Sequence, residues 1–225
     1  MKANGTKVAQ KRILLVDDHP LLRQGIAQLI NQQADLMVCG EADDAQKAVT
    51  AIETTKPDLV VLDISLKGSS GIELLKNVKV RFPQLSILML SMHDETVFAQ
   101  RALRAGASGY IMKQEPTDKI LGALRKVING EVYVSDRLGA RMLTQLVGGK
   151  VMAPSSPIEE LSDRELEVFS LIGQGHGTRP IAEKLHLSVK TVESHRAHIK
   201  EKLHLNSAAE LVHHAIQWVQ SESIG

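Results

Sequence analysis

The sequence predicts a three-layer α/β fold built on a parallel sheet, followed by a small all-α domain. Between residues 11 and 130, five short runs rich in Val, Ile and Leu alternate with segments whose apolar residues recur at helical spacing. This alternation is typical of a parallel sheet covered by helices on both faces. From residue 159 onward only helical signals remain, including Ser-x-x-Glu capping boxes. We therefore assign residues 11–130 to an α/β domain, 131–158 to a linker with one helix, and 159–225 to a helical domain.

The predicted strands are short apolar runs bounded by loop residues, as is typical of buried strands in a parallel sheet. Amphipathic segments separate them, the first built on Leu22, Ile26 and Ile30 and the last on Leu124 and Val127. The crossovers are expected to be right-handed, as in nearly all such units. The strands are predicted at 13–16, 36–40, 59–62, 87–90 and 110–112.

The linker prediction comes from residues that break regular structure. A helix is expected over 135–146, after which two glycines and two prolines interrupt the chain between 148 and 157. Beyond it, Ser162, Ser188 and Ser207 can each cap an amphipathic run. Four helices in this segment, with a short loop between the second and third, are typical of a helix-turn-helix.

Composition excludes several classes of protein. Lys and Arg number 27 against 26 Asp and Glu, so any nucleic-acid surface must be local. No apolar run approaches the ~18–20 residues that span a bilayer, and the first eleven residues lack the apolar core of a signal peptide. The single Cys39 cannot form an internal disulfide. These features predict a cytoplasmic protein without a membrane segment and with a short disordered N-terminus.

Acidic residues follow two of the predicted strands. Asp17 and Asp18 come directly after the run 13–16, and Asp63 follows the run 59–62. Because sites in open α/β sheets form at the carboxyl ends of the strands, these carboxylates are expected to meet. They repel one another unless a cation joins them, and oxygen ligands suit Mg²⁺ better than zinc. The sequence therefore predicts a magnesium site at this edge.

Two further polar residues end the remaining strands at the same edge. Ser91 follows the run 87–90, and Lys113 follows the run 110–112. A phosphoryl group requires such a set, because a carboxylate can act as the nucleophile while a metal, an ammonium and a hydroxyl bind its oxygens. A lone Asp at a strand end is as often a turn residue and helix cap, but the whole set favours phosphoryl chemistry.

The α/β domain resembles the receiver domain of bacterial two-component response regulators. The resemblance implies a flavodoxin-like fold in which Asp63 accepts a phosphoryl group from a sensor histidine kinase. It implies that Mg²⁺ is held by Asp18, Asp63 and the Ser65 backbone carbonyl, with Asp17 acting mainly through water. It also implies no enzyme activity beyond the domain's own phosphoryl transfer and dephosphorylation. Lys113 would pair with the phosphoryl group, while Ser91 and Tyr110 would form the switch. The residues that carry this resemblance are Asp17, Asp18, Asp63, Gly71, Ser91, Tyr110 and Lys113.

The helical domain resembles the LuxR-type helix-turn-helix of NarL/FixJ-type regulators. The matching motifs lie at 161–165, 181–185 and 187–195. Between Arg179 and Lys202 stand six Lys or Arg against three Glu, so the basic charge is concentrated there. The resemblance implies double-stranded DNA as a partner and a homodimer on phosphorylation. Spacings among the histidines, such as His195 with His198, favour surface or DNA contacts over a metal site.

The predicted DNA contacts divide by chemistry. Lys190 can donate to guanine and Glu193 can accept from cytosine, so these two are candidates for base edges. Basic side chains contact phosphates, which positions the protein without specifying sequence. The phosphate candidates are Arg179, His195, Arg196 and Lys200, and Thr191 completes the set of DNA-binding residues.

Two rival functions and two modes of control remain open. A metal-dependent phosphatase could use Asp63 but would need an acid/base where Ser65 stands, and a protein-binding adaptor could share the architecture. Phosphorylation could unmask the DNA-binding helices, or the receiver could supply dimer contacts. The helix 207–219 is the expected dimer surface, with Leu211, Val212, Ala215 and Ile216 upon it.

Overall fold

A computed structural model describes residues 10–67, 69–92, 95–147 and 157–224 of the 225-residue chain. Residues 1–9, where the N-terminus is predicted to be disordered, lie outside the described residues. So does the predicted break at 148–157, except for Pro157. In chain order the elements are β1 (Lys11–Val16), α1 (Pro20–Asn31), β2 (Leu36–Ala42), α2 (Ala45–Thr55), β3 (Leu59–Asp63), β4 (Ser65–Leu66), β5 (Ser69–Ser70), α3 (Gly71–Arg81), β6 (Ser86–Ser91), α4 (Glu95–Arg104), β7 (Gly109–Met112), α5 (Thr117–Ile128), α6 (Asp136–Val147), α7 (Asp163–Gly173), α8 (Thr178–Lys184), α9 (Val189–Lys202) and α10 (Ala208–Ile224), with a 3₁₀ turn at Pro157–Glu160.

The α/β domain is a three-layer sandwich, which confirms the predicted fold. Five parallel strands pair in the order β2-β1-β3-β6-β7. Side chains alternate between the sheet faces, so Ile13 and Leu15 pack with residues of α1 and α5. Leu14 and Val16 point to the other face and pack with α2, α3 and α4. The inner strands β3 and β6 are buried on both sides, as their uninterrupted apolar runs predict, whereas the edge strand β2 is largely half-buried.

Two local features differ from the predictions. Strand β1 begins at Lys11 rather than at Ile13. Lys11 and Arg12 are not apolar, but their backbones pair with Leu36 and Met37 of β2. The antiparallel pair β4 and β5 was not predicted, since strands of two residues carry no periodic signal. Gly71 permits this tight return, because a Cβ at that position would lie 1.9 Å from the carbonyl oxygen of Asp63.

The helical domain forms a helix-turn-helix supported by flanking helices. Ser162 and Glu165 form the predicted capping box at α7, and Ser188 caps α9 by accepting from the Thr191 N–H. Val192 and Ile199 of α9 are fully buried, as their spacing predicts. None of the described helices is long and apolar enough to cross a membrane.

The predicted dimer surface on α10 is partly wrong. Leu211 and Ala215 are both fully buried and belong to the hydrophobic core, because α10 packs against α7. The close approach is visible at Gly173, where a Cβ would lie 2.4 Å from the carbonyl oxygen of Ala215. Val212 and Ile216 are only half-buried, so a dimer surface on this helix is limited to residues of that kind.

Candidate functional site

The predicted carboxylates and lysine meet at the carboxyl edge of the sheet. Lys113 Nζ lies 2.7 Å from Asp17 Oδ2 and 2.7 Å from Asp63 Oδ2. All three side chains are almost completely buried. The ammonium thus bridges the ends of β1 and β3, which compensates two carboxylates that would otherwise repel each other in a region of low dielectric.

Burial and charge act in opposite directions on these groups. Burial raises the pKa of Asp63 to about 7, with a further upward contribution from Asp17, while Lys113 opposes both. Burial alone would lower the pKa of Lys113, but Asp63 and Asp17 more than offset it and raise that pKa above its ordinary value. An acid with such a pKa needs additional positive charge to remain an ionised nucleophile at neutral pH.

Asp18 completes an acidic cluster suited to a divalent cation. Ligand atoms of Asp17, Asp18, His19 and Asp63 all lie within 4.8 Å of one another. The Asp18 side chain is only 5% exposed, and neither of its oxygens accepts a directed hydrogen bond from any described residue. Such an arrangement of buried, poorly satisfied carboxylate oxygens is compatible with Mg²⁺. His19 opens α1, and its backbone N–H donates to Asp17 Oδ1 at 2.8 Å.

The other predicted residues of the site surround Asp63. Ser65 follows it in β4, and its backbone stabilises the charged form of the Asp63 carboxylate. Ser91 ends β6 and is fully buried, and its carbonyl accepts from the Lys113 N–H at 2.8 Å. Tyr110 is 1% exposed, so its ring already lies inside the protein in this arrangement.

The helical domain covers this site. A cavity of about 400 Å³ lies between the domains. Asp63 and Lys113 line it on the receiver side, and Leu171, Lys184 and Leu185 line it on the side of the helical domain. Every residue of α7 from 163 to 172 is buried, although the helix carries several charged side chains. The two domains are therefore docked through α7 and the α8–α9 turn, directly over the carboxylates.

Asp163 anchors one side of the docked interface. It accepts from Lys76 Nζ of α3 at 2.8 Å, and Arg101 of α4 approaches its other oxygen at 3.3 Å. Arg101 also donates to the carbonyls of Leu161 at 2.8 Å and Ile158 at 2.9 Å. Helix α4, which follows Ser91 in the chain, thus holds the start of the helical domain.

Arg164 and Glu167 form a buried ion pair at the centre of the interface. Arg164 Nη1 lies 2.5 Å from Glu167 Oε2, and its Nη2 donates to the carbonyl of Leu185 at 3.0 Å. Burial raises the pKa of Glu167 to about 7, although Arg164 and the Ser70 hydroxyl favour its charged form. Asp63 raises the pKa of Glu167 further, so Glu167 is electrostatically connected to the carboxylate cluster.

Docking of the two domains is expected to weaken as the pH rises from 6 to 8. Glu167 has a pKa of about 7 when docked and an ordinary value of 4.5 when solvated, so the docked form binds the extra proton between these values. The contribution of Glu167 to docking is therefore complete below pH 4.5, and it is lost as the pH rises through about 7. Between pH 4.5 and about 7, each pH unit changes the docking equilibrium by at most about tenfold.

Small-angle scattering of the full chain at both pH values measures this effect. Glu167→Gln removes this titrating group, so its scattering curve is expected to change less between pH 6 and 8 than that of the parent. His195 acts in the opposite direction, because burial lowers its pKa and protonation therefore opposes docking at acid pH. A parent protein that becomes more compact at pH 8 would contradict the assignment.

The predicted DNA contacts lie on and around α9. Lys190, Glu193 and Arg179 are exposed, while Thr191, His195, Arg196 and Lys200 are half-buried. Thr191 is engaged in the cap of its own helix, since its hydroxyl lies 2.7 Å from Ser188 Oγ. Lys202, counted in the basic run, pairs with Glu165 Oε2 at 2.7 Å and so adds little to the surface charge.

Several interface residues escaped the sequence analysis. Asp163 and Glu167 occupy polar positions of an amphipathic helix, and nothing in the sequence around Arg101 distinguishes it from a solvated cation. His186 is an exposed histidine of the helical domain, and its Nε2 lies 3.1 Å from Asp18 Oδ2 of the receiver. The positive φ of 50° at His186 is a feature of its turn, and no local sequence pattern shows which partner such a side chain meets.

Both halves of the chain match known families. Residues 13–125 match the response regulator receiver domain, and residues 159–215 match the bacterial regulatory proteins of the luxR family. The oxygen regulatory protein NreC of Staphylococcus epidermidis is 38% identical over 211 residues, covering 92% of this chain and 97% of its own. NreC of Staphylococcus haemolyticus is 39% identical over 210 residues, with the same coverage.

Solved structures show the same two-domain organisation. RcsB of Salmonella typhimurium is 25% identical with a TM-score of 0.64, over 93% of this chain and 98% of that one. RcsB of Salmonella enterica serovar Typhimurium bound to the rprA promoter, in the presence of the phosphomimetic BeF₃⁻, gives 26% and 0.59 over 91% and 97%. The domain families, the full-length relatives and the carboxylate site agree, and the chain belongs to the NarL/FixJ-type response regulators, which join a receiver domain to a LuxR-type helix-turn-helix domain.

Proposed function

We propose that this protein is a DNA-binding transcriptional regulator controlled by phosphorylation of Asp63 by a sensor histidine kinase. The observation that carries the proposal is the contact of Lys113 with Asp63 at 2.7 Å, beside Asp17 and Asp18, in a receiver joined to a LuxR-type domain. Its place of action is the cytoplasm, where DNA is available. The family assignment disfavours both rival functions, a metal-dependent phosphatase and a protein-binding adaptor.

In this proposal the protein side chains that take part in phosphoryl transfer already lie close together. An Asp63 carboxylate oxygen attacks the phosphorus of a phosphohistidine, and the imidazole nitrogen departs as the P–N bond breaks. Lys113, 2.7 Å away, is placed to neutralise a phosphoryl oxygen, and the Ser91 hydroxyl can bind another. The same site would later hydrolyse the acyl phosphate. Mg²⁺, held by Asp18, Asp63 and the Ser65 carbonyl, with Asp17 acting through water, would supply further positive charge to the phosphoryl oxygens.

In this proposal the docked receiver weakens DNA binding by the unphosphorylated form. His195 of α9 is partly buried, and Glu73 of α3 is close enough to influence its pKa. The major groove is about 12 Å wide and admits little more than one helix of ~10–12 Å diameter. A receiver helix beside α9 therefore interferes with its entry, even though Lys190 and Glu193 remain exposed.

The proposed active form is a homodimer on paired DNA half-sites. Lys190 and Glu193 would read base edges, and the phosphate contacts would come from the basic residues around them. RcsB has been solved bound to promoter DNA in the presence of a phosphomimetic, which supports DNA binding by the phosphorylated form. The residues proposed to contact DNA are Arg179, Lys190, Thr191, Glu193, His195, Arg196 and Lys200.

Replacing Asp63 with asparagine is expected to abolish the phosphoryl adduct that acetyl phosphate and Mg²⁺ form on the parent protein. Intact mass spectrometry measures the adduct, and fluorescence anisotropy with a paired-site duplex measures DNA binding before and after treatment. The parent should bind more tightly once phosphorylated, whereas Asp63→Asn should remain weak, because it lacks the nucleophilic oxygen.

Asp58→Asn is the matched control. Asp58 immediately precedes β3, of which Asp63 is the last residue, and it pairs with Lys11 at the opposite edge of the sheet. This variant should acquire the adduct and respond to it as the parent does. An undiminished adduct on Asp63→Asn would overturn the assignment of the phosphoacceptor.

A further inference from the structure

The α8–α9 turn lies over the metal-binding edge of the receiver. Leu185 lines the same cavity as Asp63 and Lys113 and is itself 2% exposed. Its carbonyl accepts from Arg164 Nη2 at 3.0 Å, and the same nitrogen lies 3.5 Å from the carbonyl of Leu66 in the receiver. The turn is thus held in place by a buried side chain that contacts both domains.

This turn directs His186 at Asp18. The backbone of His186 has φ of +50°, a left-handed conformation, and its Nε2 lies 3.1 Å from Asp18 Oδ2. His19 Nδ1 lies 2.9 Å from the other oxygen. Each oxygen of Asp18 therefore faces an imidazole, and one of the two rings belongs to the DNA-binding domain.

Asp18 cannot serve this contact and a hydrated cation equally well. Mg²⁺ requires near-octahedral oxygen ligands at ~2.0–2.1 Å and usually retains several waters. An imidazole in contact with the same carboxylate occupies space that those waters need, and it adds a nitrogen where Mg²⁺ prefers oxygen. The two occupants are therefore alternatives.

We propose that His186 and Mg²⁺ compete for Asp18, so that metal binding loosens the docked DNA-binding domain before any phosphoryl group arrives. This inference rests on the proposed function of the receiver site. By linkage the effect is reciprocal: the docked domain weakens Mg²⁺ binding by the same factor by which Mg²⁺ weakens docking. Mg²⁺ thereby prepares Asp63 for the donor as well as assisting the transfer.

Substitution of His186 by glycine tests the competition in the full-length, unphosphorylated protein. Glycine adopts a positive φ without strain, so the change removes the imidazole and spares the turn. Isothermal titration with Mg²⁺ alone should show affinity about fivefold or more above that of the parent, the lower range of ordinary coupling between sites. Affinity equal to or below that of the parent would overturn the proposal.

His204→Gly is the matched control, since His204 also has a positive φ, of 54°, in the turn after α9 and is exposed. It should bind Mg²⁺ as the parent does. A second measurement needs no variant of the turn: small-angle scattering should show the parent expanding as Mg²⁺ is added. Asp18→Ala, which lacks the shared carboxylate, should not respond to Mg²⁺. A parent that stays equally compact at saturating Mg²⁺ would also refute the competition.

The outcome is separable from that of the proposed function. Suppose that the adduct forms on Asp63, but Mg²⁺ does not expand the parent and binds His186→Gly no more tightly than the parent. Then only the proposed competition is wrong. If the competition holds but no adduct forms on Asp63, the proposed phosphoacceptor is wrong while the interdomain contact stands.

Discussion

Arg101→Ala is expected to raise the DNA affinity of the unphosphorylated protein by about tenfold or more. The side chain donates to the carbonyls of Ile158 and Leu161 and contacts Asp163, which is 6% exposed. The network is part-buried, and hydrogen bonds to charged groups of this kind contribute about 1.5–3 kcal/mol each. Their loss exceeds the ~1.4 kcal/mol bias that would reduce the open population tenfold.

Arg125→Ala is the control for this experiment. Arg125 forms a bidentate ion pair with Asp35 within the receiver. Arg125→Ala therefore removes the same type of side chain as Arg101→Ala but leaves the domain interface unchanged. Fluorescence anisotropy on one duplex at one salt concentration compares the variants, and the salt must be fixed because DNA affinity depends steeply on it. Equal affinities for the two variants would show that Arg101 does not restrain the helical domain.

Lys113→Ala is expected to lower the free energy of unfolding by about 3–5 kcal/mol in the absence of divalent cations, the usual effect of removing one partner from a buried ion pair. It leaves Asp17 and Asp63 facing each other with side chains 6% and 2% exposed. Saturating Mg²⁺ should stabilise this variant more than it stabilises the parent, because the cation restores positive charge beside the same carboxylates.

Urea unfolding with and without Mg²⁺ measures both effects. Lys119→Ala is the control, since Lys119 forms an exposed pair with Glu115 at 3.0 Å that solvent largely screens. It should unfold close to the parent midpoint and gain from Mg²⁺ as the parent does. A Lys113→Ala protein as stable as Lys119→Ala would show that the ammonium does not compensate Asp17 and Asp63.

The sequence was informative wherever burial dictates composition. Strands β3 and β6 are buried on both faces, so they appear as uninterrupted apolar runs, and the polar residue that ends each run marks the site edge. Capping at Ser162 and Ser188 is equally local, since each serine meets an N–H three residues away. The fold class and the position of the carboxylate site follow from such short-range signals.

The arrangement of the domains could not be predicted in this way. Asp163 and Glu167 are residue types typical of a solvated helix face. Their burial depends on partners in α3, α4 and β5, which are far away in sequence. The contact of His186 with Asp18 spans more than half of the chain. Interactions of this kind depend on tertiary geometry, so neither periodicity nor spacing reveals them.

The charged side chains of α7 affect how readily the two domains can separate and dock again. Asp163, Arg164 and Glu167 lose ion partners or a low-dielectric environment when the domains separate, but water can solvate all three at once. An apolar face of the same size would instead be exposed on every activation and would invite association with other chains. The charged residues of α7 therefore reduce the apolar area that separation of the domains would expose, and they are expected to let the domains separate and dock again without aggregation.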